Sequence, residues 1–198
     1  MSGDYDPCGA LAVCILHPGL EEAGADADTA IPARMKDVYG LNEHLFLDAY
    51  EAGIDTILTC DNGIAAGAEI ALAKEKGMTV IVTDHHEVPY EERDGERIWR
   101  LPPADVVVDP KQEGDTCPFQ GICGAVVAYK LILCLYGKLG LLESKKNFLD
   151  GLLELAAFAT VCDVMELLDE NRIIVRYGLS HMKHTENEGL RALMEVNN

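Results

Sequence analysis

The chain has 198 residues, 48% of them hydrophobic and 25% charged, and carries a formal charge of −18 from 34 acidic and 16 basic side chains. That length suits one α/β domain with a sizeable core, and the charge excludes a general polyanion-binding surface, so a phosphate backbone can be held only locally. No uncharged apolar run approaches the ~20 residues of a membrane helix, and no basic-flanked apolar segment at the start reads as a signal peptide, so no membrane partner is expected.

In chain order, GDYD (3–6) follows only Met1 and Ser2, so a strand leading into it is nearly absent. LHPGL (16–20) places Pro18 in a helical stretch, where a proline costs roughly 3 kcal/mol unless the helix starts or breaks there. NEHLFLDAYEAG (42–53) predicts a helix with Asn42 as N-cap and Gly53 after its end. IDTILTC (54–60) is a buried-type strand, followed by DNG and a helical stretch, GIAAGAEIALAKEKG (63–77), with Gly77 as C-terminal cap. MTVIVT (78–83) is the next strand and ends on Asp84-His85-His86. The segment 87–103 is long, charged and proline-flanked and reads as a surface loop near the strand ends. ADVVVDP (104–110) supplies another short strand. The second half reads as helices: GAVVAYKLILCLYG, FLDGLLELAAFATVC, NRIIVRYGLSHMKH and EGLRALMEV. Strands alternating with such helices predict an α/β fold, a parallel β-sheet flanked by helices with a helical C-terminal part. The seven cysteines lack paired metal spacing and read as free thiols of a reducing cytoplasm.

Ligands of parallel α/β sheets collect beyond the carboxyl ends of the strands. Asp61 follows one strand and Asp84, His85 and His86 follow the next, so neighbouring strands would bring a carboxylate and two imidazoles to one edge. Asp4 and Asp6, in GDYD, could join them. Asp163 lies in ELAAFATVCDVMELL, where an unpaired carboxylate is costly. Each piece also has a plainer reading: DNG as a tight turn, GDYD as a loop, Asp163 as a helix exit into water. Taken together, carboxylates with imidazoles suit Mn²⁺ or Mg²⁺.

The motifs GDYD, ILTCDNGIAA, VTDHHEVP and ATVCDVMEL followed by ENRIIVRYGL resemble those of the DHH phosphoesterases. IPARMKDVYGLN and VVDPKQEGDTCPFQGICGAVVAYKL are similar to the RecJ single-stranded-DNA exonucleases within that family. The resemblance covers nearly the whole chain. It implies a metal-dependent phosphodiester hydrolase with two ions, Asp61 bridging them and Asp4, Asp6, His85 and Asp163 completing their shells. By the same resemblance, His86 sits near the scissile phosphate and Asp84 orients its neighbours, and the expected substrate is single-stranded DNA cut 5′ to 3′. One position departs from the family pattern: Cys8 stands where the family has a metal-binding aspartate, preceded by Pro7. Residues 1–198 are expected to be a single DHH domain truncated at both ends, without the DHH-associated lobe or an oligonucleotide-binding domain, and therefore an impaired nuclease that binds DNA weakly. Two alternatives stay open: a DHH phosphoesterase for oligoribonucleotides, cyclic dinucleotides or pyrophosphate, and a non-catalytic interaction module. No protein partner can be read from the residues.

Overall fold

A computed structural model describes residues 1–3, 6–31 and 41–196. Four strands form an all-parallel sheet in the order β1-β2-β3-β6: β1 (Ser2–Gly3), β2 (Thr56–Cys60), β3 (Thr79–Thr83) and β6 (Val106–Val108). The expected parallel sheet flanked by helices is therefore present. The register aligns the carboxyl ends, with Gly3 opposite Cys60 and Cys60 opposite Thr83. The ladder runs one residue further: Asp61 N donates to Thr83 O at 3.0 Å, and Asp84 N to Val108 O at 3.0 Å. Asp61, Asp84 and Asp109 are thus the first residues beyond three adjacent strands.

Side chains alternate across the pleat, so each strand feeds two layers. Ile57, Val80 and Val82 pack on one face with Phe46 of α2 (Glu43–Glu51) and with Ile70 and Ala73 of α3 (Gly67–Glu75). Leu58 and Cys60 point the other way, into the larger core built from α1 (Pro7–Glu22), α4 (Gly124–Leu139) and α5 (Lys146–Cys162). Helices α6 (Asp169–Met182) and α7 (Glu188–Val196) close the chain, α6 lying along α5. Burial on both faces explains why the strands read as continuous apolar runs.

Several expectations hold locally. Asn42 caps α2, its Oδ1 accepting from Leu45 N at 2.9 Å, and Gly53 and Gly77 follow their helices with φ of 82° and 79°. Three others change. The strand before Asp4 is short but present: the two-residue β1 pairs with the carboxyl end of β2. Pro18 lies inside α1, which continues through it; the N–H it lacks would have served the carbonyl of Cys14, an exposed residue. Segment 87–103 contains an antiparallel hairpin, β4 (Tyr90–Arg93) with β5 (Glu96–Trp99). It turns on Asp94 and Gly95, both at positive φ. The Tyr90 and Trp99 rings meet edge-on at 5.3 Å, and Arg97 lies over Tyr90. The stretch 32–40, which holds most of IPARMKDVYGLN, lies outside the described residues.

Candidate functional site

The turn after β2 sets the first half of the site. Asp61 takes a left-handed φ of 62°, a conformation tolerated by Asp better than by most residues. Gly63 follows at φ 109°, and a Cβ there would lie 2.7 Å from Thr59 Oγ1. Ile64 N donates to Asp84 Oδ2 at 2.9 Å, tying this turn to the next strand end, and α3 begins at Gly67 rather than at Gly63.

Asp84 organises the second half. Its Oδ1 accepts from His85 N at 2.7 Å and His86 N at 3.2 Å, and meets His86 Nδ1 at 2.7 Å. Both its oxygens are spent within the protein, so the side chain orients the two histidines rather than reaching into the site. Burial works against its charge, but the His86 ring and the N–H groups of Ile64 and His85 outweigh that and hold its pKa below the ordinary carboxylate range. The same contact with Asp84 raises the His86 pKa to about 9.

His85 is buried and points inward. Its Nε2 lies 3.0 Å from Asp61 Oδ1 and 3.6 Å from Asp163 Oδ2. Burial disfavours the charged ring, yet the Asp61 carboxylate outweighs it and the pKa rises. Asp163, at the C-terminal end of α5, is raised chiefly by burial. Asp61 Oδ1 has the His85 ring as its one polar neighbour at 3.0 Å, and His85 Nδ1 and Asp163 Oδ2 are buried without a hydrogen-bond partner among the described residues. Donor atoms of Asp61, His85 and His86 lie within 4.8 Å of one another. Two carboxylates crowded on one buried imidazole nitrogen leave more acceptors than donors, a poor core but one that fits a hard divalent cation. The N-terminus of α4 presses on this cluster: a Cβ on Gly124 would fall 2.0 Å from Asp61 Oδ1.

The sequence profile of the DHH family, N-terminal domain, matches residues 1–160. The chain belongs to the DHH family. Among curated relatives, the single-stranded-DNA-specific exonuclease RecJ of Bacillus subtilis is 40% identical over 194 residues, covering 98% of this chain and 22% of that protein. The RecJ of Haemophilus influenzae is 36% identical over 203 residues, 99% of this chain and 34% of that protein. A solved structure of exonuclease RecJ bound to manganese matches with a TM-score of 0.82 at 35% identity, covering 98% of this chain and 46% of that one. RecJ of Thermus thermophilus in complex with Mn²⁺ matches at 0.76 and 33%, covering 98% and 26%. This DHH-family chain therefore spans about a fifth to a third of the length of these curated relatives.

Of the residues expected at the site, the fold brings Asp61, Asp84, His85, His86 and Asp163 together. Asp4 lies outside the described residues. Asp6 caps α1, its Oδ1 accepting from Gly9 N at 2.8 Å, and it is near enough for its charge to push Asp163 upward. Cys8 is buried in a second close group with Cys123 and Asp163, their donor atoms also within 4.8 Å of one another. The Cys8 thiol is pushed up by its hydrogen bond to Cys123 and by burial, while that bond pulls Cys123 down. All seven cysteines are free, and Cys8 and Cys123, far apart in sequence, are joined by tertiary structure alone. Two neighbours were not foreseen. Cys123 precedes a helix and is 115 residues from Cys8 in sequence. Asp109 ends β6 beside Asp84, with Oδ2 buried and unpaired and its pKa raised to about 6 by burial; its position after VVV, matching the acids after β2 and β3, was the available signal.

Proposed function

We propose that this chain is the DHH lobe of a RecJ-like nuclease, hydrolysing phosphodiester bonds of single-stranded DNA from the 5′ end with the help of two Mn²⁺ or Mg²⁺ ions. The observation that carries the reading is the convergence of Asp61, His85 and Asp163, from two sheet turns and a helix end, with His85 Nδ1 and Asp163 Oδ2 buried and without hydrogen-bond partners among the described residues. Similarity to manganese-bound RecJ over 98% of the chain supports it.

Asp61, His85 and Asp163 would hold the ions, with Asp4 and Asp6 contributing from the GDYD segment. When bound, such ions activate a water and neutralise charge on the attacked phosphate. Asp84 keeps His86 in one orientation by engaging Nδ1, which leaves Nε2 to donate to a phosphate oxygen. His86 is half exposed and lines a cleft of about 320 Å³ together with Asp61, Asn62, Asp84 and Glu87, at the small end of ligand pockets. A terminal nucleotide fits that scale better than a folded partner. Charge argues that this lobe grips DNA weakly alone, because 34 acids face 16 bases and affinity for nucleic acid follows phosphate neutralisation.

The test measures Mn²⁺ binding by calorimetry and hydrolysis of 5′-labelled single-stranded DNA and of a dinucleotide. The reading expects Mn²⁺ binding that Asp61→Asn and His85→Gln abolish, with slow Mn²⁺-dependent release from the DNA 5′ end. Rapid dinucleotide hydrolysis with no action on DNA would replace it with a short-substrate phosphoesterase, and unchanged Mn²⁺ binding in both variants would refute the site.

A further inference from the structure

The hairpin of β4 and β5 pairs with no other strand, and its side chains sort onto two faces. One face carries Tyr90, Glu92, Arg97 and Trp99, the other Glu91, Arg93, Glu96 and Ile98. On the first, the Tyr90 and Trp99 rings meet at 5.3 Å, and the Arg97 guanidinium lies 4.5 Å over the Tyr90 ring. We propose that this stack of Arg97, Tyr90 and Trp99 is a platform for a nucleobase of the single strand, beyond the nucleotide held in the cleft. The inference deepens the proposed function and rests on it for the class of ligand, a single-stranded nucleic acid.

The platform stands within reach of the cleft. Tyr90 is four residues beyond His86, so their Cα atoms lie at most roughly 14 Å apart. The base of the hairpin is anchored. Val88 is buried, Arg100 N donates to Pro89 O at 2.7 Å, and Lys111 pairs with Glu87 at 3.0 Å. Glu87 itself lines the cleft with His86 and Asp61. A strand with its end in the cleft therefore reaches a hairpin rooted in the cleft wall within its first few nucleotides.

Charge favours stacking over further phosphate contacts. With 34 acids against 16 bases, the chain offers little to a phosphate backbone, whereas a base stacks on a ring face without any net charge. Among the described residues Arg97 has no carboxylate partner, although Glu92 faces it across the ladder. Arg100, by contrast, is tied to Glu91 at 2.6 Å. An arginine stacked on tyrosine turns its second planar side outward, and guanidinium planes stack unpaired bases as aromatic rings do. Tyr90 is 43% exposed, Arg97 is exposed and Trp99 partly so, which leaves the stack open to solvent. The cross-strand ring pair also stiffens the hairpin and so fixes the platform's geometry.

Trp99 is the single tryptophan of the chain, so its fluorescence reports the platform directly. The chain is titrated at low ionic strength, with EDTA present so that nothing is cleaved. The probes are an oligothymidylate of about ten nucleotides and an abasic strand of equal length and charge. The oligothymidylate should quench Trp99 and the abasic strand should not. Arg97→Ala leaves the ring pair in place and should weaken binding by roughly 5–150-fold, the range spanned by loss of one stacking contact. The same variant should raise KM for Mn²⁺-dependent hydrolysis of the strand while kcat holds. Arg97→Lys should not restore affinity, since lysine keeps the charge and loses the plane. Arg93→Ala removes the same charge from the opposite face and should bind as the unmodified chain does. Absent quenching, equal quenching by both strands, or full affinity in Arg97→Ala or Arg97→Lys would overturn the platform, and Mn²⁺-dependent hydrolysis would still leave the proposed function standing. Base-dependent quenching in a chain that hydrolyses no strand with Mn²⁺ would uphold the platform and remove the nuclease reading.

Discussion

Adding one methyl group at Gly124 should disable the cation site from the second layer. A Cβ at that position would lie 2.0 Å from Asp61 Oδ1, 2.6 Å from its Cγ and 2.7 Å from its Cβ. Ordinary contact begins at 3.4 Å, so either the Asp61 carboxylate or the start of α4 must move by about 1.4 Å, and Asp61 cannot rotate away without leaving His85, 3.0 Å distant. Overpacking of this kind costs roughly 1–3 kcal/mol, against a gain of up to ~1 kcal/mol from replacing glycine in a helix. The net loss of about 0–2 kcal/mol corresponds to a melting temperature lower by as much as ~8 °C for a chain of this size. Binding should suffer more than folding, because a ligand displaced by about 1 Å is no longer in register with its partners: Mn²⁺ affinity should fall by at least ~10–100-fold. The assay is calorimetric Mn²⁺ titration beside thermal melting, with Gly151→Ala as control. Gly151 is an exposed position of α5 where a Cβ meets nothing within 4 Å, so that variant should keep its affinity and gain about 0.5–1 kcal/mol. Undiminished Mn²⁺ affinity in Gly124→Ala would show that Asp61 is not a ligand in this position.

Asp109→Asn should stabilise the metal-free chain above pH 6. The folded pKa of Asp109 is raised to about 6 from the ordinary 3.8, so its favourable state is the protonated one; that contribution is complete below 3.8 and is lost as pH rises through about 6. Removing the charge should recover roughly 1–3 kcal/mol at pH 7 and flatten the pH dependence of melting between 4 and 7; an Asn variant no more stable than its parent at pH 7 would refute the burial argument. Val164 presents a β-branched side chain at φ 55° while 87% exposed. Val164→Gly should therefore stabilise by about 0.5–1 kcal/mol, the ~1–2 kcal/mol of left-handed strain less the extra freedom glycine has when unfolded; a lower melting temperature would mean the turn beside Asp163 is not strained.

Much of this arrangement was legible because it is local. The apolar runs of β2 and β3 end sharply on DNG and DHH, and in a parallel sheet the ends of adjacent strands are forced to one edge, so Asp61 and His85 could be paired before any contact was seen. Caps such as Asn42 and Gly77 act within a few residues and were equally readable. The hairpin β4–β5 was hidden for a different reason. Its strands are short and mostly charged, with only Ile98 and Trp99 partly covered, so no apolar alternation marks them, and the Asp94-Gly95 turn signal was submerged in the charge. The Cys8–Cys123 pair was illegible in principle, since only the packing of α1 against α4 makes those positions neighbours. Asp84 illustrates a middle case: its place was evident, but its role follows from three donors that converge on Oδ1 and a fourth on Oδ2, which only the folded turn reveals.

The central claim is that a divalent cation occupies the space bounded by Asp61, His85 and Asp163. The most direct measurement is anomalous X-ray diffraction from crystals of the chain equilibrated with Mn²⁺. The account predicts a manganese peak within bonding distance of Asp61, with His85 or Asp163 as a second ligand. Manganese found only at surface carboxylates, with Asp61 and His85 still paired to each other, would contradict it.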